Sequence, residues 1–393
     1  MTSNQIYSKP ELIFVTLVLA IATFMQVLDT TIANVSIPTI AGDLGVSTTQ
    51  GTWVITGFGV SNAISIAVSG FFAKRIGEVR LLIISTVLFT LFSFLSGSAT
   101  DMTSLVIYRV LQGAVAGPVI PLSQSLILRA YPRKYQSLAM ALWGMTVILA
   151  PVLGPILGGY ISDNFSWSWI FFINIPLGIF VVLVGAPLLK RLETKPESTP
   201  FSYTAFALLT VGVGSLQILL DQGEQWGWWG SMQIRILAVI SVVALVYFFV
   251  MQIFDKNPII DFSLFKSINF SVSTLCISLA YLIYFGAIVL IPQLLQEVYG
   301  YTALWSGIAL APLGILPVVL VASVAKMCDR YDIRWIVTFS FICYSICFFW
   351  RAYVFTPDIP MSDVIWPQVL QGLALTFFLM PLTTLGLQDI PDD

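Results

Sequence analysis

Tyr108–Ser125 reads YRVLQGAVAGPVIPLSQS, and Pro367–Thr384 reads PQVLQGLALTFFLMPLTT. The same Val-Leu-Gln-Gly block, Val110–Gly113 and Val369–Gly372, is followed in both by an apolar run and then a Pro-Leu-hydroxyl step. Each stretch is membrane-like, and the distance between the two copies sets the architecture.

Composition decides the broad class first. The chain is 58% hydrophobic and 10% charged, with a formal net charge of -2 and mean hydropathy +0.91. No soluble domain hides that much apolar side chain. A bilayer core about 30 Å thick needs ~20 apolar residues per helix, and such runs recur along the whole chain. They are continuous rather than alternating, which selects helices over a β-barrel. The expected fold class is therefore an all-α polytopic membrane protein.

Twelve apolar segments are expected, at about 12–37, 52–73, 81–98, 103–127, 137–160, 167–189, 202–221, 231–254, 268–292, 303–325, 335–354 and 364–387. The first is too long for a signal-peptide core and is read as a retained span. Cys276, Cys328, Cys343 and Cys347 show no zinc-like spacing and suit small apolar side chains. Histidine is absent, so a proton relay must use carboxylates and a His-based metal site is excluded. No phosphate loop, nucleophile constellation or Cys/His cluster supports an enzyme, and no nucleic-acid partner is expected.

Lysine and arginine set the orientation. With both termini cytoplasmic, the inside holds Lys9; Lys74, Arg75 and Arg80; Arg129, Arg133 and Lys134; Lys190, Arg191 and Lys195; Lys256 and Lys266; Lys326, Arg330 and Arg334. These are fifteen of eighteen basic residues, a bias that the opposite orientation reverses. Arg235 and Arg351 fall at outer ends, and Arg109 lies inside a span. Trp226, Trp228 and Trp229 in an outer loop suit an interfacial aromatic belt.

The two blocks fall in spans four and twelve, which run in the same direction. A six-plus-six repeat places the second copy in span ten. Two spans inserted between like-oriented halves explain the offset. The expected units are a six-span half over 1–190, a linker over 191–256 carrying spans seven and eight, and a second half over 257–393 holding spans nine to twelve, with its last two spans missing.

Asp29 and Arg109 are the most informative positions. A charge inside a span costs roughly 2.5–3.5 kcal/mol and normally faces protein or a wet cavity. At ~1.5 Å rise per residue Asp29 lies ~26 Å from the inner start of span one, and Arg109 lies ~9 Å below the outer start of span four. Their depths match, so a proton-sensitive Asp29 partnered by Arg109 is expected; a permanent structural ion pair is the competing reading. Gln26, Asn34, Gln112, Gln124, Asn174 and Gln371 are amides able to line a cavity or to bond across helices. Neutral amides among many aromatics suit bulky apolar or weakly charged compounds.

Several longer motifs resemble one family. LDTTIANVSIP (Leu28–Pro38) looks like the first-span signature of fourteen-span drug:proton antiporters. GFFAKRIGEVR (Gly70–Arg80) resembles the major facilitator loop between spans two and three, YRVLQG the fourth-span motif, and APVLGPILGG (Ala150–Gly159) the fifth-span antiporter motif. WSWIFFINIPLG (Trp167–Gly178) and NPIIDFSLFKSINF (Asn257–Phe270) match further signatures of that branch. The likeness extends over essentially the whole chain, and within the branch it is to the EmrB-type multidrug exporters.

That resemblance implies the major facilitator architecture with fourteen spans, of which this chain is expected to hold twelve. It implies proton-coupled efflux of hydrophobic small-molecule drugs across a bacterial inner membrane by alternating access. The proton motive force is the energy source, with no cofactor. It implies a periplasmic adaptor of the EmrA type and a TolC-type outer-membrane channel as partners. It places coupling residues in spans one and four. It makes Gly70, Lys74, Arg75, Gly77 and Arg80 a gate element that meets the other half, although Lys74 stands where the wider superfamily has Asp. It makes Pro151, Gly154, Pro155, Gly158 and Gly159 a kink that limits proton leak; a packing seam is the plainer reading. Competing functions are an importer on the same fold and a non-transporting relic or partner of a full-length exporter.

Overall fold

The computed structural model describes residues 7–132, 135–197, 202–255, 258–356 and 359–387. Arg133, Lys134, Lys256 and Asn257, which entered the charge count or the motifs above, lie outside the described residues, as do Asp389, Asp392 and Asp393.

Regular structure among the described residues is helical throughout. In chain order the α-helices are α1 (Lys9–Ile32), α2 (Ile37–Asp43), α3 (Thr48–Gly51), α4 (Trp53–Ile76), α5 (Glu78–Gly97) and α6 (Met102–Ala116). Next come α7 (Val119–Ala130), α8 (Gln136–Asn164), α9 (Trp169–Phe172), α10 (Asn174–Leu189), α11 (Tyr203–Gln222) and α12 (Met232–Phe254). The last are α13 (Ile268–Glu297), α14 (Ala303–Leu310), α15 (Pro312–Arg330), α16 (Ile333–Val354), α17 (Met361–Thr376) and α18 (Leu379–Leu387). In hydrocarbon each backbone N–H and C=O needs an internal partner, and only the helix supplies one within a single segment.

Eleven described helical stretches are long and apolar enough to cross a membrane. The expected tenth span divides between α14 and α15, and its apolar stretch, Leu304–Leu320, is shorter than the others. The apolar exterior is the mark of a bilayer as solvent. Val239, Val242, Val243 and Val246 of α12 are each more than half exposed, whereas buried Gln26, Asp29, Arg109, Gln112 and Asn174 point inward.

Helices α1, α4, α5, α6, α7, α8 and α10 pack as one group, and α11 and α12 pair with each other and lean on α4. α13 to α18 form the remaining group, joined to the first through α8, whose Ile148 and Val152 share a core with Tyr284, Leu313, Tyr344 and Phe378.

Both copies of the Val-Leu-Gln-Gly block sit late in a helix that then breaks: α6 gives way to α7 at Gly117–Pro118, and α17 to α18 at Phe377–Phe378. Each block glycine admits a neighbouring backbone. A methyl at Gly113 meets the Phe58 carbonyl of α4, and a methyl at Gly372 meets the Leu313 carbonyl of α15. Small residues at such crossings are what let membrane helices approach closely.

Candidate functional site

The site forms where α1 loses its helical continuity. Asp29 closes a fully buried run, Met25 to Asp29, just before the helix ends at Ile32. Thr30 and Thr31 turn their hydroxyls back onto the carbonyls of Val27 and Leu28. A 3-10 turn, Asn34–Ser36, follows before the chain resumes as α2. Helix α6 approaches from the other side, capped by Asp101, whose carboxylate accepts the Ser104 backbone N–H at 2.9 Å. That bond, with the Ser104 hydroxyl, holds the Asp101 carboxyl below its ordinary value.

Arg109 and Asp29 meet as the matching depths predict. Arg109 Nη1 donates to Asp29 Oδ2 at 2.5 Å, with side-chain exposures of 1% and 0%. Asp29 Oδ1 accepts from Asn174 Nδ2 at 2.8 Å and from Gln112 Nε2 at 3.3 Å. Asn174 Nδ2 also reaches Ser93 Oγ at 2.9 Å, and Ser93 in turn donates to the Phe171 carbonyl. Two helices besides its own, α6 and α10, therefore converge on one carboxylate, and α5 reaches it only through Asn174.

Arg109 has partners besides Asp29. Its Nε donates to the Val54 carbonyl at 3.1 Å and its Nη1 to Gln112 Oε1 at 2.8 Å. The guanidinium carbon lies 4.2 Å from the Phe58 ring centroid and 5.3 Å from that of Phe171, so cation–π attraction adds to the hydrogen bonds. Removing one partner of a buried pair normally strands the other charge at several kcal/mol. Here the arginine keeps two acceptors and two aromatic faces if Asp29 is neutralised.

The other amides are dispersed. Gln26 bonds across α1 and α4 to Asn62 Oδ1 at 3.2 Å, as an interhelical tie. The Oδ1 of Asn34 is buried without a partner, and Gln124 is half-buried on α7. Gln371 lies far along the chain with Arg351: Arg351 Nη2 donates to Gln371 Oε1 at 2.5 Å and to Gln368 Oε1 at 2.9 Å. Arg351 is thus more than an outer-end charge; it is 5% exposed, in the last turn of α16. Apolar flanks on both sides hide that burial from a reading by position.

The loop motif is anchored by a residue the motifs do not contain. Gly77, at φ +100°, turns the chain between α4 and α5. Glu193 then accepts the backbone N–H groups of Val79 at 3.2 Å and Arg80 at 3.0 Å, at the start of α5. Arg80 adds an ion pair to Glu193 at 3.8 Å. Glu78 pairs with Arg129 at 2.8 Å, and Glu197 N–H donates to the Lys74 carbonyl. A methyl at Gly70 would meet nothing within 4 Å. The carboxylate of Glu193 at a helix N-terminus suits both the free N–H groups and the dipole. Its only sequence signal is a loop that carries both Glu193 and Glu197.

The fifth-span motif is a two-sided seam. Helix α8 runs on through Pro151 and Pro155. On one side a methyl at Gly154 meets the Thr31 hydroxyl and one at Gly158 meets the Ile32 carbonyl, both next to Asp29 in α1. On the other, Gly307 of α14 packs on the Pro155–Ile156 backbone, where a methyl would come within 2.8 Å of Ile156 N. Pro151 and Gly159 are buried in the same helix.

The family model described as Major Facilitator Superfamily matches residues 19–393. The chain is 55% identical over 383 residues to the multidrug export protein EmrB of Escherichia coli strain K12, covering 98% of this chain and 75% of that protein. It is 54% identical over 380 residues to EmrB of Haemophilus influenzae, covering 97% of this chain and 74% of the relative. Among solved structures, a POT family transporter in complex with a thioalcohol-conjugated peptide superposes with a TM-score of 0.64 at 14% identity, covering 98% of this chain and 84% of that one. At that identity the likeness is one of fold.

Proposed function

The chain belongs to the major facilitator superfamily and within it to the EmrB-type multidrug exporters, and from that premise we propose that it couples drug export to proton entry through Asp29. It is a multi-pass inner-membrane multidrug efflux transporter acting on small molecules, not an enzyme. The coupling reading rests on one observation: a fully buried carboxylate whose arginine partner holds independent acceptors.

Protonation of Asp29 neutralises one member of the pair. Oδ1 still accepts from Asn174 and Gln112, and Arg109 stays with Val54, Gln112 and the two rings. The proton therefore weakens the tie between α1 and α6 without leaving the arginine unsolvated. In an alternating-access cycle that tie is the element a proton from the periplasm releases and a drug from the cytoplasm restores. No cofactor enters this scheme; the proton motive force drives it. Both termini lie on the cytoplasmic side.

We read the chain as a six-span half over 1–190, a helical pair within 191–256 and further helices of a second half over 257–393. The matching approaches of Gly113 to Phe58 and Gly372 to Leu313 support that division. A periplasmic adaptor of the EmrA type and a TolC-type channel complete the path outward in this reading. Gly70, Lys74, Arg75, Gly77 and Arg80 serve as a gate loop on the inner side.

Dye efflux from cells producing the chain or its Asp29→Asn variant tests the proposal. The wild type should lose export when the proton gradient is collapsed, and Asp29→Asn should export no faster than cells without the protein. Full proton-driven export by Asp29→Asn rejects the assignment.

A further inference from the structure

Among the described residues two arginines are buried, Arg109 and Arg351. The first has a carboxylate; the second has none among them. Around Arg351 the helices carry acids only at their ends. Glu297 closes α13, Asp329 is next to last in α15, Asp363 lies in the first turn of α17, and neither α14 nor α16 contains an acidic residue.

The hydrogen bonding is one-sided. Arg351 Nη2 is taken by the Oε1 atoms of Gln368 and Gln371, and the guanidinium lies 5.0 Å over the Phe348 ring. Its Nε and Nη1 are buried with no acceptor, and so are Nε2 of Gln368 and Nε2 of Gln371. Both glutamines are fully buried. The hydroxyl of Tyr344, on the same buried face of α16, also lacks a partner. The C-terminal end of the α16 dipole eases the charge but supplies no acceptor to those atoms. Buried unpaired donors each carry a desolvation penalty, and a charged one carries the largest.

Such a cluster lacks one thing, an oxyanion. The repeat sharpens the contrast: Gln368 occupies the step before Val-Leu-Gln-Gly that Arg109 holds in the first copy. We propose that Arg351, with the amides of Gln368 and Gln371, binds the carboxylate of an amphiphilic organic acid, whose apolar body lies against Phe348 and Tyr344. One guanidinium matches one carboxylate by charge, and charge-assisted hydrogen bonds are about twice as strong as neutral ones. A lipid phosphate carries the same oxyanion chemistry, so the test separates the two sources. The proposal rests on the export reading only in placing this acid among the exported compounds.

The full chain in phosphatidylcholine nanodiscs is dialysed to equilibrium against labelled decanoate and against decanamide, its neutral counterpart. Decanoate should bind about tenfold more tightly, a difference of ~1.4 kcal/mol. Arg351→Gln should erase that preference, and Arg351→Lys should retain part of it. Equal binding of the two compounds by the wild type overturns the site, whether or not any variant folds. So does a preference that survives Arg351→Gln with an unchanged size-exclusion profile, or decanoate displaced by phosphatidylglycerol added to the discs. Proton-driven dye efflux by the wild type is read in parallel: if it is present while the acid preference is absent, the anion site alone fails. If the preference is confirmed and no dye is exported, the export reading alone fails.

Discussion

Arg109 and Asp29, 80 residues apart in the chain, meet at 2.5 Å in a fully buried contact between α6 and α1. The contact is more than an ion pair, because Asn174 and Gln112 hold the second carboxylate oxygen. Its energetics and its role in coupling are separable by substitution.

Asp29→Ala removes the counter-charge of a buried guanidinium, which costs about 3–5 kcal/mol where the charge is left stranded. It should cost less here, because Val54, Gln112 and two rings still hold Arg109. Asp29→Asn keeps an acceptor at Oδ1 and should cost less still. The double variant Asp29→Ala with Arg109→Met should recover most of the loss. Denaturant unfolding of the purified variants measures all three, and a double variant as unstable as the sum of the singles removes the pair from the account.

The block glycines should tolerate no side chain. Gly113→Ala and Gly372→Ala each drive a methyl into a carbonyl of the neighbouring helix, and overpacking of this kind typically costs about 1–3 kcal/mol, much the same in both halves. Gly70→Ala, with open space around it, should leave the unfolding midpoint unchanged. A neutral Gly372→Ala would show that the second copy is an accident of spelling.

Glu193 should behave as an N-terminal anchor of α5. Glu193→Ala frees the N–H groups of Val79 and Arg80, and lost caps cost about 0.5–2 kcal/mol. Hydrogen exchange at those two amides should rise by more than that at Phe89, which lies in the buried middle of the same helix. Unchanged exchange would leave Glu193 no anchoring role.

Asp101 gives a sign for acid. Its folded carboxyl lies below the ordinary value because of Ser104, so its contribution is present above the unfolded value and is lost as pH falls through the folded one. Asp101→Asn should flatten the acid side of the stability curve. Variant and wild type that remain parallel down to strong acid contradict the cap.

A sequence exposes what charge in a membrane makes expensive. Asp29 and Arg109 stand out because their insertion cost demands a partner, and their matching depths point each to the other. Gln112 and Asn174 are visible as span amides, but nothing in spacing separates them from Gln26, which ties α1 to Asn62. Ser93 stays hidden because a serine in a membrane helix usually bonds its own turn; here it donates to Phe171 from a neighbouring helix. Glu193 sits in a loop, where an acidic residue carries no insertion cost. Arg351 does lie at its helix end, in the last turn of α16, but its burial stays hidden because proximity to an end says nothing of which face it occupies. Hydropathy supplies the span count, yet the tenth segment breaks at Ala311–Pro312, and its apolar stretch is correspondingly short.

Proton release on drug binding tests the coupling claim most directly. The purified chain, in lightly buffered detergent with a pH indicator, is mixed with a drug whose binding has been measured independently for wild type and Asp29→Asn. The account predicts that wild type releases a proton as drug binds when Asp29 starts protonated, and that Asp29→Asn binds the drug and releases none. Equal proton release from the two proteins contradicts it.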